Sequence, residues 1–153
     1  GNATSSVPGC PLCEGPGGTL VWQGDRFRVI RADEAGFPAF YRLVWGAHVT
    51  EFSDLSAADR QACTEGVAAI EQALRAHLQP TKVNLATLGN QVAHLHWHVI
   101  ARFASDSHFP GPVWASAQRE RDLAHEAAVQ ALLPAAEAEL CQRLDALRAQ
   151  GLA

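Results

Sequence analysis

Seven consecutive residues, His94-Leu95-His96-Trp97-His98-Val99-Ile100, alternate imidazole with apolar side chains. Residues two apart on a β-strand share a face, so the run predicts a strand with three histidines on one side and Leu95, Trp97 and Val99 on the other. The chain holds only seven histidines in 153 residues. Gathering three on one strand face suits proton transfer, metal ligation or nucleophilic attack rather than solubility. Alternate residues rise about 6.6 Å and the outer pair about 13 Å, so two neighbouring histidines could share an ion while all three could not. The three are therefore expected to divide between roles.

The preceding residues extend this strand into a hairpin. Residues 82–88 read as a strand, Gly89-Asn90 is a turn signal, and Val92 resumes an apolar run that ends near Phe103. Glycine lets backbone approach a ligand closely, and consecutive N–H groups in such a turn can receive an anion. The hairpin thus offers phosphate-binding amides beside imidazoles. The net charge of −4 and a single lysine, Lys82, give the chain no overall field to attract a polyanion. Recognition must then be local, through backbone amides, the histidines and Arg102.

Four cysteines form two groups. Cys63 falls on a helix face with Val67, Ile70 and Leu74, and it and Cys141 read as small buried hydrophobes. Cys10-Pro-Leu-Cys13 differs, because its spacing suits metal ligation or redox chemistry and it lies in a Gly/Pro-rich segment. Bound zinc, an empty pair and a disulfide are the alternatives. Two further ligands would be needed to complete a tetrahedral set.

The remaining pattern is α+β in one domain. Residues 19–22 and 27–30 read as strands around the Gly24-Asp25 turn, and 41–45 as a third. Ser56-Ala-Ala-Asp59 resembles a capping box opening a helix with the stripe Cys63, Val67, Ile70, Leu74 and Leu78, which stops before Pro80. Residues 116–133 are helical by composition, and Pro134 suits the first turn of a last helix carrying Leu140, Leu144 and Leu147. Residues 1–9 are expected to be a loose segment. No apolar run approaches a membrane span, and no cysteine outside the pair suggests a disulfide framework, so a cytoplasmic location is expected, with neither membrane nor nucleic acid as a partner.

From Lys82 to Phe103, followed by Pro110-Gly-Pro-Val-Trp114, the sequence resembles the histidine triad (HIT) superfamily, and within it the bacterial diadenosine tetraphosphate hydrolase-like branch. The resemblance covers about residues 10–115, taken as the HIT domain, with 116–153 as a C-terminal helical extension of the same domain. It implies an antiparallel sheet with a long helix packed on it and C-terminal helices. By this resemblance His96 is the nucleophile that forms a nucleotidyl-histidine intermediate, and His98 contacts the phosphate and its leaving group. Asn84, Gly89, Asn90 and Gln91 hold the α-phosphate and ribose. Asp33 lies where relatives place a ribose-binding acid, with a solvated turn acid as the alternative, and Trp114 either contacts the base or simply packs. In several relatives a Cys-x-x-Cys pair joins two histidines to hold zinc, which implies a structural zinc on Cys10, Cys13, His48 and His94 and no organic cofactor. A homodimer through the sheet edge beside the first long helix is also implied.

One departure stands out. Many HIT enzymes place a histidine that supports the nucleophile where this chain has Phe40, which cannot relay a proton, so His96 is expected to be oriented by a backbone carbonyl of the triad strand or from elsewhere. Histidine at the third triad position, rather than the glutamine of uridylyltransferase relatives, implies hydrolysis. A nucleotide-binding module with negligible turnover is the alternative, while a three-histidine metalloenzyme is disfavoured by the span of the strand.

Overall fold

The computed structural model describes residues 6–153; residues 1–5, most of the segment expected to be loose, lie outside them. Five strands, β1 (Thr19–Gln23), β2 (Phe27–Arg31), β3 (Phe40–Trp45), β4 (Lys82–Ala86) and β5 (His96–Arg102), form one antiparallel sheet in the order β1-β2-β3-β5-β4. A four-residue helix α1 (Pro11–Glu14) precedes it, α2 (Ala57–Leu78) follows β3, and α3 (Leu123–Ala149) ends the chain. The triad strand therefore lies between two neighbours, not at an edge.

Alternation sorts the side chains. Val99 pairs with Tyr41 and Trp97 with Leu43, and this face joins Phe27, Val29 and the α2 stripe of Cys63, Val67, Ile70, Leu74 and Leu78 in the main core. Each such aliphatic contributes about 1.5–3 kcal/mol by leaving water. Ser56 starts α2 by accepting the Asp59 backbone N–H at 3.1 Å, satisfying a donor that has no helical partner. The other sheet face carries Arg42, Val44, His96, His98 and Ile100 and receives no helix of this length. All long helices thus pack on one side, and the other is left for chemistry.

The C-terminal region departs from expectation. Residues 116–122 are not helical, and Pro134 lies inside one continuous helix rather than opening a second. Asp122 caps that helix, accepting the His125 backbone N–H at 3.0 Å. Val129, Leu133, Ala136, Leu140 and Leu144 form one buried stripe on both sides of the proline. Their burial offsets the ~3 kcal/mol that an interior proline costs. The hairpin also differs: residues 87–95 form a long loop instead of a tight Gly-Asn turn, β4 stops at Ala86, and β5 begins at His96.

Helix α2 approaches the sheet closely at Gly66, where an added Cβ would come within 2.6 Å of Phe27 Cζ and 2.8 Å of Leu43 Cδ1. Both neighbours are fully buried and have nowhere to go. Gly66→Ala should therefore destabilise the chain by about 1–2 kcal/mol in urea unfolding, overriding the ~1 kcal/mol that alanine gains in a helix.

Candidate functional site

The three histidines divide between two neighbouring centres. His94, just before β5, turns its Nδ1 toward Cys10 Sγ (3.6 Å) and Cys13 Sγ (3.4 Å), and Cys13 Sγ lies 3.4 Å from His48 Nδ1. The four ligating atoms all lie within 4.8 Å of one another. A tetrahedral zinc at 2.3 Å from sulfur and ~2.05 Å from nitrogen requires sulfur–nitrogen edges of about 3.6 Å, so the residues fit such an ion. His94 Nε2–H donates to the Trp45 carbonyl at 2.5 Å, which leaves Nδ1 as the lone-pair atom facing the cysteines. Arg28 fastens the cysteine loop from below, donating to the carbonyls of Leu12 (2.8 Å), Gly15 (2.9 Å) and Pro16 (3.1 Å). Leu12 lies in α1 and Gly15 caps it, so two of these are end carbonyls of the helix that would otherwise lack partners. Of the segment expected to be loose, Val7 is tied in through its N–H to Cys13 Sγ, and Gly9 through its N–H to Glu14.

His96 and His98 line a cavity of about 620 Å³ together with Pro11, Leu12, Arg42, Gly89, Asn90, Gln91 and Trp114. Their rings stand 5.0 Å apart. His96 Nδ1–H donates to the His94 carbonyl at 2.6 Å, so the carbonyl within the triad segment supplies the orientation that Phe40 cannot. With the hydrogen on Nδ1, Nε2 keeps its lone pair. Thr87 Oγ1–H donates to the His96 carbonyl at 2.7 Å, securing the hairpin loop to the start of β5. Gly89 sits at φ +78°, where other L-residues are strained, and presents the loop backbone to the cavity.

Residues from two other segments close around His98. Arg42, opposite it on β3, donates from Nε to His98 Nδ1 at 3.3 Å. Phe40 meets the ring edge-on at 5.5 Å, and Trp114, half exposed, meets it at 5.1 Å. Burial above all, then His96 and the Arg42 cation, push His98 down to about 4; burial and Arg42 also lower His96. Both imidazoles are neutral at pH 7.

Two expected site residues lie elsewhere. Asn84 does not line the cavity, and its Oδ1 accepts Arg102 Nη1–H at 2.9 Å. Asp33 lines a separate hollow with Arg31, Glu34, Arg121 and Glu137. Arg102 is not available for recognition either: it is fully buried, donating to both oxygens of Asp106 at 2.8 and 3.0 Å and to the Gly111 carbonyl. Burial works to raise the Asp106 carboxyl, but Arg102 and the N–H groups of Phe103 and His108 outweigh it and hold it below the usual range. This pair anchors the 104–117 segment that carries Trp114. The cation in the cavity is instead Arg42, which the sequence reading overlooked. Its signal was there: a lone charge in the apolar run Tyr41-Arg42-Leu43-Val44-Trp45 of a central strand.

Because the folded pKa of His98 is depressed below its ordinary 6.5, its contribution to stability is complete above that value and is lost as pH falls toward 4. In that window the unfolded chain takes up a proton that the folded chain refuses, at up to about 1.4 kcal/mol per pH unit. His98→Gln should show a shallower decline in unfolding free energy between pH 6.5 and 4 than the unaltered chain.

The family model for the HIT domain matches residues 17–105. Among solved structures, a histidine triad protein from Bradyrhizobium japonicum is 26% identical, with a TM-score of 0.70 over 89% of this chain and 98% of that one. A histidine triad protein from Sinorhizobium meliloti is 25% identical, with a TM-score of 0.65 over 88% and 98%. A zinc-bound histidine triad family protein from Mycobacterium smegmatis shares the fold at 19% identity, with a TM-score of 0.56 over 80% and 86%. No curated protein matches the chain. The matched span contains β1 through β5, α2 and all three triad histidines, and the chain belongs to the HIT family.

Proposed function

We propose that the chain is a nucleotide hydrolase that cleaves at the α-phosphate of a dinucleoside polyphosphate or a nucleoside monophosphate conjugate through a covalent nucleotidyl-His96 intermediate. The observation that carries this reading is the 2.6 Å bond from His96 Nδ1–H to the His94 carbonyl, which leaves Nε2 nucleophilic without a separate base. Attack by Nε2 forms a nitrogen–phosphorus bond as the bond from phosphorus to the leaving group breaks, its electron pair going to the leaving group, and gives the ring a positive charge, which the bond to the His94 carbonyl stabilises. His98, 5.0 Å away, assists the leaving group by hydrogen bonding, and the amides of Gly89 to Gln91 receive the phosphate oxygens. Water then attacks phosphorus as the nitrogen–phosphorus bond breaks, so that His96 departs as neutral imidazole and the proton of the water is released to solvent. Asn84 and Asp33 support the ribose contact least, since neither borders the cavity, while Trp114 offers an aromatic face to a base.

His96→Ala should lower turnover of dinucleoside polyphosphates and nucleoside phosphoramidates at least ~10⁴-fold while nucleotide affinity changes only a few-fold. Mixing the unaltered chain with substrate and quenching in alkali, which preserves nitrogen–phosphorus bonds, should give a nucleotidyl adduct on His96 by mass spectrometry. A chain that binds nucleotide tightly but forms no adduct would be a binding module.

Zinc on Cys10, Cys13, His48 and His94 belongs to the same reading, supported by the donor geometry and by the zinc-bound relative. Bound there, the ion supplies folding free energy and takes no part in the reaction. Elemental analysis should give about one zinc per chain, and Cys10→Ser should lose the metal and several degrees of melting temperature. Well under one zinc, with unchanged stability in Cys10→Ser, would reject the site. A homodimer is also proposed, through the β4 edge, where Leu85 and Leu88 are exposed and unpaired backbone calls for a cover.

A further inference from the structure

We propose that Arg42 is a positioning residue for the reaction, acting through His98: its Nε–H holds that imidazole with Nδ1 as acceptor and Nε2–H directed to the leaving group. The inference rests on the reading of His98 as the group that assists departure.

A guanidinium has only donors, and a carbonyl only accepts. The nitrogen facing Arg42 must therefore carry a lone pair, while the His96 nitrogen facing the His94 carbonyl must carry a hydrogen. Two imidazoles on one strand face, two residues apart, are thus held in opposite tautomers. His96 keeps a lone pair for attack, and His98 keeps an N–H for the group that leaves.

Arg42 is itself held for this task. Its guanidinium carbon stands 5.2 Å above the Phe40 ring, and Nη2 lies 3.8 Å from Glu34 Oε1. Cation and ring attract one another, more so away from water. Phe40 therefore does two things: it carries the arginine and walls the edge of His98. The groups facing His98 are Arg42 and Phe40 from β3, His96 from its own strand, Ala86 across β4 and Trp114 from the 104–117 segment. None is a carboxylate, and the Glu34 carboxylate faces the arginine, so the surroundings favour neutral imidazole, in keeping with its depressed pKa.

The first test needs no substrate. In ligand-free chain labelled with ¹⁵N-histidine, two-bond proton–nitrogen correlations should show His98 carrying its hydrogen on Nε2 at pH 7, with His96 carrying its own on Nδ1. A hydrogen on His98 Nδ1 would overturn the proposal outright. In Arg42→Leu the His98 ring should titrate at higher pH than in the unaltered chain, with Arg42→Lys between them. The second test compares the phenyl and p-nitrophenyl esters of adenosine 5′-monophosphate. Arg42→Leu should slow kcat for the phenyl ester, whose leaving group needs help, by about 10–100-fold. It should slow the p-nitrophenyl ester far less, and Arg42→Lys should restore much of the loss. In a His98→Ala background, Arg42→Leu should have little further effect. Equal losses on both esters, or losses that multiply in the double variant, would mean that Arg42 acts on the substrate or the fold and not through His98. If instead His98→Ala alone left the phenyl ester unaffected, the reading of His98 itself would fall, and the Arg42 proposal with it.

Discussion

The site face depends on the three bonds of one residue, His94. Its Nε2–H is committed to the Trp45 carbonyl, its Nδ1 points at two cysteines, and its backbone carbonyl takes the hydrogen of His96. A neutral imidazole has one N–H, so the bond to Trp45 settles which nitrogen faces the thiols. The same residue settles which nitrogen of His96 keeps its lone pair. Cysteine loop, β3 and triad strand are tied together at this point, with Arg28 supporting the loop independently.

The sheet separates stability from chemistry. Its helix-covered face is apolar and continuous, from Phe27 through Tyr41 and Leu43 to Val99. Its other face is covered in pieces: the cysteine loop packs on Ile30 and Val44, and the 104–117 segment packs on Phe40 and Ile100. Between the pieces lies the cavity. An open patch lined by buried imidazoles is tolerable only because each ring nitrogen that faces the protein has a partner. No helix among the described residues is long and apolar enough to cross a membrane.

Strand period made the triad legible in the sequence, and strand and helix periods likewise the sheet and the α2 stripe, each a local pattern repeated at a fixed spacing. The grouping of Cys10 and Cys13 with His48 and His94 was legible only through the resemblance to HIT relatives, since these residues lie far apart in the sequence. What escaped was set by distant packing. Pro134 obeys the local rule for a helix start, yet a buried stripe on both sides of it carries the helix through. Arg102 looked free because its partners, Asn84, Asp106 and Gly111, are brought to it only by the fold. Arg42 was hidden because its importance depends on register: only the pairing of β3 with β5 sets it opposite His98.

Helix α3 lies beyond the span that the family model matches, yet it is fastened to every layer. Trp22 Nε1–H bonds Asp145 at 2.9 Å, Tyr41 Oη–H bonds Glu137 at 2.6 Å, and Glu137 also pairs with Arg31. His77 on α2 meets Glu139 at 3.1 Å. The buried stripe from Val129 to Leu144 belongs to the same core as the sheet. The border drawn by kinship and the border drawn by burial therefore do not coincide. A fragment trimmed to the shared motif would expose Tyr41 and the flank of α2 to water, so the terminal helix belongs to the smallest part of this chain that can be cut out whole.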